Sequence, residues 1–558
     1  MNSLSTKQIW CLVIAVAAIW FSNLEYRKLI KPDEGRYAEI PREMVVSGDW
    51  VTPRLNDLKY FEKPPLQYWA TAAAYTVFGE HQWSSRLWTA LTGFVGLLLV
   101  WFAGLRLFGR EAAGYAVMLL GSSFLYVGMS HINTLDMGVT FFITLGIVGL
   151  LLGQTSTDAK ARRNWMLLAW AGMALAVLSK GLMGLVLPGT ALFIYCIIQR
   201  DFSVLKRMHW LPGLAVFLLI TAPWFYLVMK ANPEFFRFFF IHEHFERFTT
   251  KQHGRYQPWY YFIPILLAGM LPWTVLMLDT LWRTIFRARA EDDARKITKT
   301  FDAGRFLLVW ALFVFLFFSM SGSKLPSYLL PMFPALALLM GKQVAEMSVR
   351  RLFWLVAPML PLLLLGLGLT PLTSRLADTP LREQMYGEYG HWLAAAALLW
   401  LLGVAAALIL LRRPGSVKER KPVAVFVLAL SSLLAVQLGT SGYNTIARER
   451  SAYLVADAIR PYVKKDMPFY SVFMYEQTLP FYLKRTFTLV QFQDEMAFGI
   501  MQEPQRWVPD IPSFAKVWQA QPQALAIMPT EIYPMLKQQE MAMKIIFEDT
   551  QYIVVSKP

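Results

Sequence analysis

Apolar runs of nearly the same length recur from the start of this chain to about residue 440, and that repetition limits the fold more than any other feature. About 20 apolar residues in a helix cross the hydrocarbon of a bilayer. A chain in lipid must also satisfy its backbone hydrogen bonds within each segment, which a helix does. Spans are expected at about 8–24, 86–108, 112–130, 137–153, 165–180, 183–198, 211–229, 259–282, 306–321, 328–344, 353–370, 392–411 and 423–440, thirteen in all. The first has only Lys7 before it and no small-residue cleavage site after it, so it reads as a retained span. The run 66–78, LQYWATAAAYTVF, is too short to cross and reads as an interfacial or re-entrant helix. Cys11 and Cys196 both fall inside apolar spans, which leaves no disulfide framework and no zinc-knuckle spacing.

The net charge of +16 resembles a nucleic-acid signal until its distribution is read. With a cytoplasmic N-terminus, the connections on that side carry 24 Lys or Arg against nine acids. The segment after residue 441 carries twelve of each and is neutral. The basic surplus therefore follows the positive-inside rule and gives no reason to expect nucleic acid. It sends the first large loop, the loops at 131–136, 230–258, 321–327 and 371–391, and the C-terminal segment to the outer face. The Ser179-Lys180-Gly181 break leaves twelve and thirteen spans close in length terms; the charge count favours thirteen.

The composition changes at about residue 442. MPFYSVF, FTLVQF, ALAIMP and KIIFEDTQYIVVS read as strands, separated by the helical patterns SAYLVADAIRPYV and TEIYPMLKQQ. The expected architecture is a polytopic α-helical membrane domain over 1–441 and a small soluble α/β domain over 442–558.

The stretch Lys31–Pro65 is the one densely charged place in a chain that is 56% hydrophobic, with seven acids interleaved with Lys and Arg. If Asp33 opens a helix behind Pro32, then Asp33, Arg36 and Tyr37 share one face. Tyr60-Phe61-Glu62-Lys63-Pro64-Pro65 reads as an extended, proline-stiffened loop. A solvated loop beside a span is the plain reading; a polar pocket at the membrane surface is the functional one. Asp33, Glu34, Arg36, Glu62 and Lys63 come from this loop, Asp136 from MSHINTLDMG, Lys180 from LSKGLMG, and Lys324 from SGSKLPSYLLP with Tyr328 four residues on. Ionisable groups beside spans are costly and usually paired or functional, although a Lys at headgroup level also snorkels. The loop 230–258 adds an aromatic run and His242, Glu243, His244, Arg247, Lys251 and Arg255. Its cations suit anionic headgroups. With an outside carboxylate such as Glu62, His242 and His244 are candidates for a divalent metal site, zinc included, although their i,i+2 spacing is not a helical metal motif. A carrier would place its ionisable groups near the midplane on broken helices, often with repeat symmetry. Placement at the outer surface points instead to chemistry on a lipid-linked substrate.

The segment PDEGRYAEIPREMVVSGDWVTPRLNDLKYFEKPPLQYW, followed by TLDMGVTFF, LSKGLMG and SGSKLPSYLLP, resembles the bacterial 4-amino-4-deoxy-L-arabinose transferases of lipid A, members of the GT-C class of membrane glycosyltransferases. The resemblance covers roughly the first 340 residues. It implies an inner-membrane enzyme with a periplasmic site, which moves aminoarabinose from undecaprenyl phosphate to a lipid A phosphate and confers polymyxin resistance. Asp33 and Asp136 would be the catalytic acids. Glu34, Arg36, Tyr37, Tyr60, Glu62, Lys63, Lys180, Arg247, Lys324 and Tyr328 would bind substrate, Arg36 and Lys63 first among the cations that grip phosphate. Membrane lipids are the surroundings, a monomer is expected, and no separate nucleophile marks a covalent intermediate, so transfer should invert. Polyprenyl-phosphate-mannose protein O-mannosyltransferases share the acidic loop and are the nearest alternative enzymes. A lipid flippase or transporter is the alternative outside enzymes.

Overall fold

The computed structural model describes residues 6–246, 257–295, 301–539 and 541–558, and these divide into two compact units. One comprises the chain up to Leu24 and Arg86–Tyr443; the other joins Glu25–Ser85 to Asn444–Pro558.

The first unit is helical. All thirteen expected segments are helices among the described residues, but only eight helices are long and apolar enough to cross a membrane. The run 259–282 is a ninth if its two helices, bent by 115° at a break carrying Pro272, form one span. Trp10–Phe21 and Met183–Gln199 are shorter apolar helices. The run expected at 112–130 splits into Arg110–Leu120 and Phe124–Met129. At that split the Ser123 hydroxyl donates back to the carbonyls of Leu119 and Leu120, competing with the helical ladder. Ala159–Lys180 is long enough, but it opens with three cations that lower its apolarity.

The helices Leu135–Thr155 and Ala159–Lys180 pack closely along a seam of small residues. A Cβ added at Gly149 would lie 2.6 Å from the Ala169 backbone nitrogen. Helices in lipid rely on this kind of close approach, since burial from water does not drive them together. The two are joined by only three residues, so they run antiparallel. The start of one therefore lies beside the end of the other.

The second unit is α/β. Its strands are β1 (Arg54–Leu55), β2 (Leu58–Lys59), β3 (Phe469–Val472), β4 (Thr488–Val490), β5 (Trp507–Val508), β6 (Leu525–Pro529), β7 (Lys544–Glu548) and β8 (Tyr552–Ser556). β1 and β2 form a hairpin whose turn residues Asn56 and Asp57 both have positive φ, the geometry that suits the twist of paired strands. The other six form one sheet in the order β5-β4-β3-β6-β8-β7. β3 to β6 are mutually parallel, and β8 and β7 add antiparallel edges. Tyr470, Val472, Phe514, Trp518, Met528 and Val555 fill its core. The four strand segments read from the sequence are present; β5 and the helix Ile511–Ala520, opened by Asp510, were not anticipated.

The first loop belongs to this unit. Asp33 opens the helix Asp33–Ser47 as expected, and Leu66–Phe78 is a 13-residue helix. Asn56 pairs with Phe487 like a strand residue, its side chain donating to the carbonyl at 2.8 Å and accepting from the amide at 2.7 Å. Arg54 grips Glu503 with two bonds of 3.1 and 3.0 Å. Buried Glu43 holds the hairpin turn by accepting from the amides of Asn56 and Asp57 at 2.6 and 2.8 Å.

Candidate active site

Two groups of predicted residues come together, one within each unit. In the helical unit, Asp136 sits in the first turn of Leu135–Thr155 and Lys180 ends Ala159–Lys180. The antiparallel pairing of these helices brings the two side chains into an ion pair. Each charge also complements the dipole of its own helix end. Asp136 is only 8% exposed, and the Lys180 ammonium lies 4.9 Å from the centre of the Tyr328 ring. The nearby hydroxyls of Thr134 and Thr140 are buried without a hydrogen-bond partner among the described residues. Lys324 is buried and donates to the carbonyls of Ser321 and, at 2.9 Å, Gln257.

In the α/β unit the cluster is built around Arg36. Asp33 and Arg36, one helical turn apart, approach to 3.6 Å. The guanidinium faces the rings of Tyr37 and Tyr60 at 6.0 and 5.8 Å, and Tyr37 stacks on Tyr68 at 6.2 Å. The other side of Arg36 is paired with Glu495, a residue the sequence reading did not single out. Glu495 comes from the short 3-10 turn Asp494–Met496 of the C-terminal segment and also accepts from the Gln477 side chain. Burial pushes its carboxyl up to about 7, opposed by Arg36 and assisted by Glu62, Asp494 and Asp33. Tyr37 and Tyr60 are likewise raised well above the ordinary phenol value, first by burial and then by neighbouring acids. The Nε of Arg36 and the hydroxyls of Tyr60 and Tyr68 are buried without partners among the described residues. Such atoms are expensive to bury and suit a polar ligand. Glu62 and Lys63 lie 3.7 Å apart and both are partly accessible.

Glu34 stands apart from this group. It is 1% exposed and saturated by a two-pronged bond from Arg27 at 2.8 and 3.1 Å and by the Ile30 amide at 3.1 Å. That arrangement fixes the entry to the helix. The side chains of His242 and His244, and Arg247 altogether, lie outside the described residues. Among the described residues no group of three His, Cys, Asp or Glu side chains is arranged to hold a metal ion. Of the three residues named for a metal, only Glu62 can be followed, and it sits beside Lys63.

Residues 455–557 match the family model described as aminoarabinose transferase C-terminal domain, and 62–227 match the dolichyl-phosphate-mannose-protein mannosyltransferase model. The chain is 34% identical to an undecaprenyl phosphate-alpha-4-amino-4-deoxy-L-arabinose arabinosyl transferase of Pseudomonas fluorescens, over 62% of this chain and 58% of that one. It is 33% identical to the enzyme of the same name from Pseudomonas paraeruginosa, over 71% of this chain and 72% of that one. A crystal structure of ArnT from Cupriavidus metallidurans bound to undecaprenyl phosphate superposes with a TM-score of 0.92 at 37% identity, covering 100% of this chain and 99% of that one. The chain therefore belongs to the family of undecaprenyl phosphate-4-amino-4-deoxy-L-arabinose arabinosyl transferases, glycosyltransferases with many apolar helices and a C-terminal α/β domain.

Proposed function

We propose that this protein transfers 4-amino-4-deoxy-L-arabinose from undecaprenyl phosphate to a phosphate of lipid A, at the periplasmic face of a bacterial inner membrane. The observation that carries the reading is the cluster of Asp33, Arg36, Tyr60 and Glu495, which pairs a buried guanidinium that has an unused donor with carboxylates able to receive an ammonium group.

The donor is a sugar 1-phosphodiester. In the transfer, the C1–oxygen bond to the polyprenyl phosphate breaks and the electron pair leaves with that oxygen. A dianionic phosphate builds up, so cations that grip it more tightly as charge grows lower the barrier. Arg36, whose Nε has no partner among the described residues, and Lys63 serve that purpose. The acceptor is a phosphate monoester with a second pKa near 6, ionised at neutral pH. It attacks C1 without surrendering a proton, so no general base is required. Asp33, its side chain 38% exposed, is then free to hold the ammonium of the amino sugar or to orient the acceptor. Glu62 offers a second carboxylate. Direct displacement on C1 inverts its configuration. Asp136 and Lys180 form a second charged site, an ion pair within the apolar helical unit. A monomer suffices for this chemistry.

The match of 62–227 to a mannosyltransferase model favours a second reading, transfer of mannose from a polyprenyl phosphate to a protein hydroxyl. That acceptor needs a base, and Asp33 would then have to accept a proton. Mass spectrometry of lipid A from cells with and without this chain separates the readings. Aminoarabinose on lipid A only when the chain is present supports the first; unchanged lipid A together with mannosylated protein supports the second.

A further inference from the structure

The α/β unit contains a cavity of about 480 Å³ that shares no residue with the Arg36 cluster. Its volume lies within the roughly 300–1,000 Å³ of small-ligand pockets. It lies where the chain enters β3, β4 and β5, and Asn56 of the first-loop hairpin forms part of its wall. That wall is rigid, because Asn56 is bonded to both backbone groups of Phe487 and Glu43 clamps the turn.

Three cations line the cavity, Lys465, Arg485 and Arg506, against one lining carboxylate, Asp466. Arg506 is already paired with Asp57. Among the described residues Arg485 has no carboxylate partner. Its guanidinium is aimed by bonds to the carbonyls of Lys464 at 3.2 Å and Met467 at 2.6 Å, and it lies 5.8 Å from the Phe469 ring. Its Nε is buried with no partner among the described residues, and burial lowers its pKa from the ordinary guanidinium value. Lys465 is exposed at the rim. A guanidinium ordered by neutral groups, partly desolvated and left without a counter-charge, is a costly arrangement for folding alone. An oxyanion that meets its fork would repay that cost, and phosphate matches the geometry best.

We infer that this cavity binds a phosphomonoester, with Arg485 as the fork and Lys465 as the closing cation. The phosphate belongs either to a lipid headgroup or to a small soluble molecule, and the recognition chemistry is the same in both.

The test follows acetylation of Lys465 in the full-length protein in neutral vesicles, read by peptide mass spectrometry. Inorganic phosphate is expected to slow the reaction at least fivefold, while chloride at matched ionic strength leaves it unchanged. Vesicles carrying phosphatidic acid in place of part of the phosphatidylcholine distinguish the sources. Slowing by both phosphate and phosphatidic acid assigns a lipid headgroup; slowing by phosphate alone assigns a soluble phosphomonoester. Arg485→Lys, which keeps the charge but loses the fork, should raise the phosphate concentration needed at least fivefold. Equal slowing by chloride, no slowing by either phosphate source, or unaltered protection in Arg485→Lys overturns the inference. None of these readouts depends on sugar transfer.

Discussion

Arg36 of the first loop is ion-paired with Glu495, 459 positions later in the chain, inside a unit built from both segments. The pair joins the acidic loop to the C-terminal domain. Among the described residues it also leaves Arg36 Nε unpartnered, and the Glu495 carboxyl is pushed up to about 7.

That carboxyl gives a pH signature. Glu495 is held near 7 in the folded chain, above its ordinary value of 4.5, so the folded state keeps a proton that the unfolded chain releases. Its contribution is full below pH 4.5 and is lost as pH rises to 7, a change of about 3 kcal/mol. Melting temperatures from pH 4.5 to 8 should show a decline for the wild type that is shallower in Glu495→Gln. Parallel profiles would show that Glu495 does not titrate there.

Arg36→Ala should be more damaging than the loss of both partners. Removing the cation leaves a buried carboxylate without compensation, which typically costs about 3–5 kcal/mol. Arg36→Ala combined with Glu495→Ala should melt above Arg36→Ala alone at pH 8. The reverse order would mean that the two residues are not coupled.

The Asp136–Lys180 pair makes a parallel case in the helical unit. Lys180→Ala strands an acid that is 8% exposed and should destabilise by about 3 kcal/mol. Adding Asp136→Asn should recover part of that loss, as measured by thermal unfolding in detergent. Additive losses would contradict the pairing.

The alignment of that pair depends on the small-residue seam beneath it. Gly149→Ala places a methyl 2.6 Å from the Ala169 nitrogen, so the helices must part or bend, at a cost of about 1–3 kcal/mol. Gly189→Ala, where a Cβ meets nothing within 4 Å, is the control and should leave the melting temperature unchanged.

Features set by local pattern were readable in the sequence. The helix opening at Asp33 follows from Pro32 and first-turn acids, and the strands of the C-terminal domain follow from short apolar runs between turn residues. Apolar length alone did not show the internal breaks, because the back-bonded Ser123 and the break carrying Pro272 divide runs that look continuous. What sequence could not show was long-range pairing. Nothing in QFQDEMAFG marks Glu495 as the partner of Arg36, and Glu34, beside Asp33 in the chain, is consumed by Arg27. The one available hint was Asn56-Asp57 between two strand-like pairs. That turn signal implied a rigid hairpin, and the hairpin docks on β4 through Phe487.

The central claim is most directly tested by transfer in a defined system. Purified protein in vesicles, supplied with undecaprenyl phosphate-aminoarabinose and lipid A and with no ion gradient, should yield aminoarabinose-bearing lipid A in proportion to the donor added. Asp33→Ala should reduce this roughly 100-fold or more while melting at the wild-type temperature, since among the described residues Asp33 has a single ion pair, to Arg36 at 3.6 Å. Product at the wild-type rate from Asp33→Ala, or no product from the wild type without a gradient, would contradict the account.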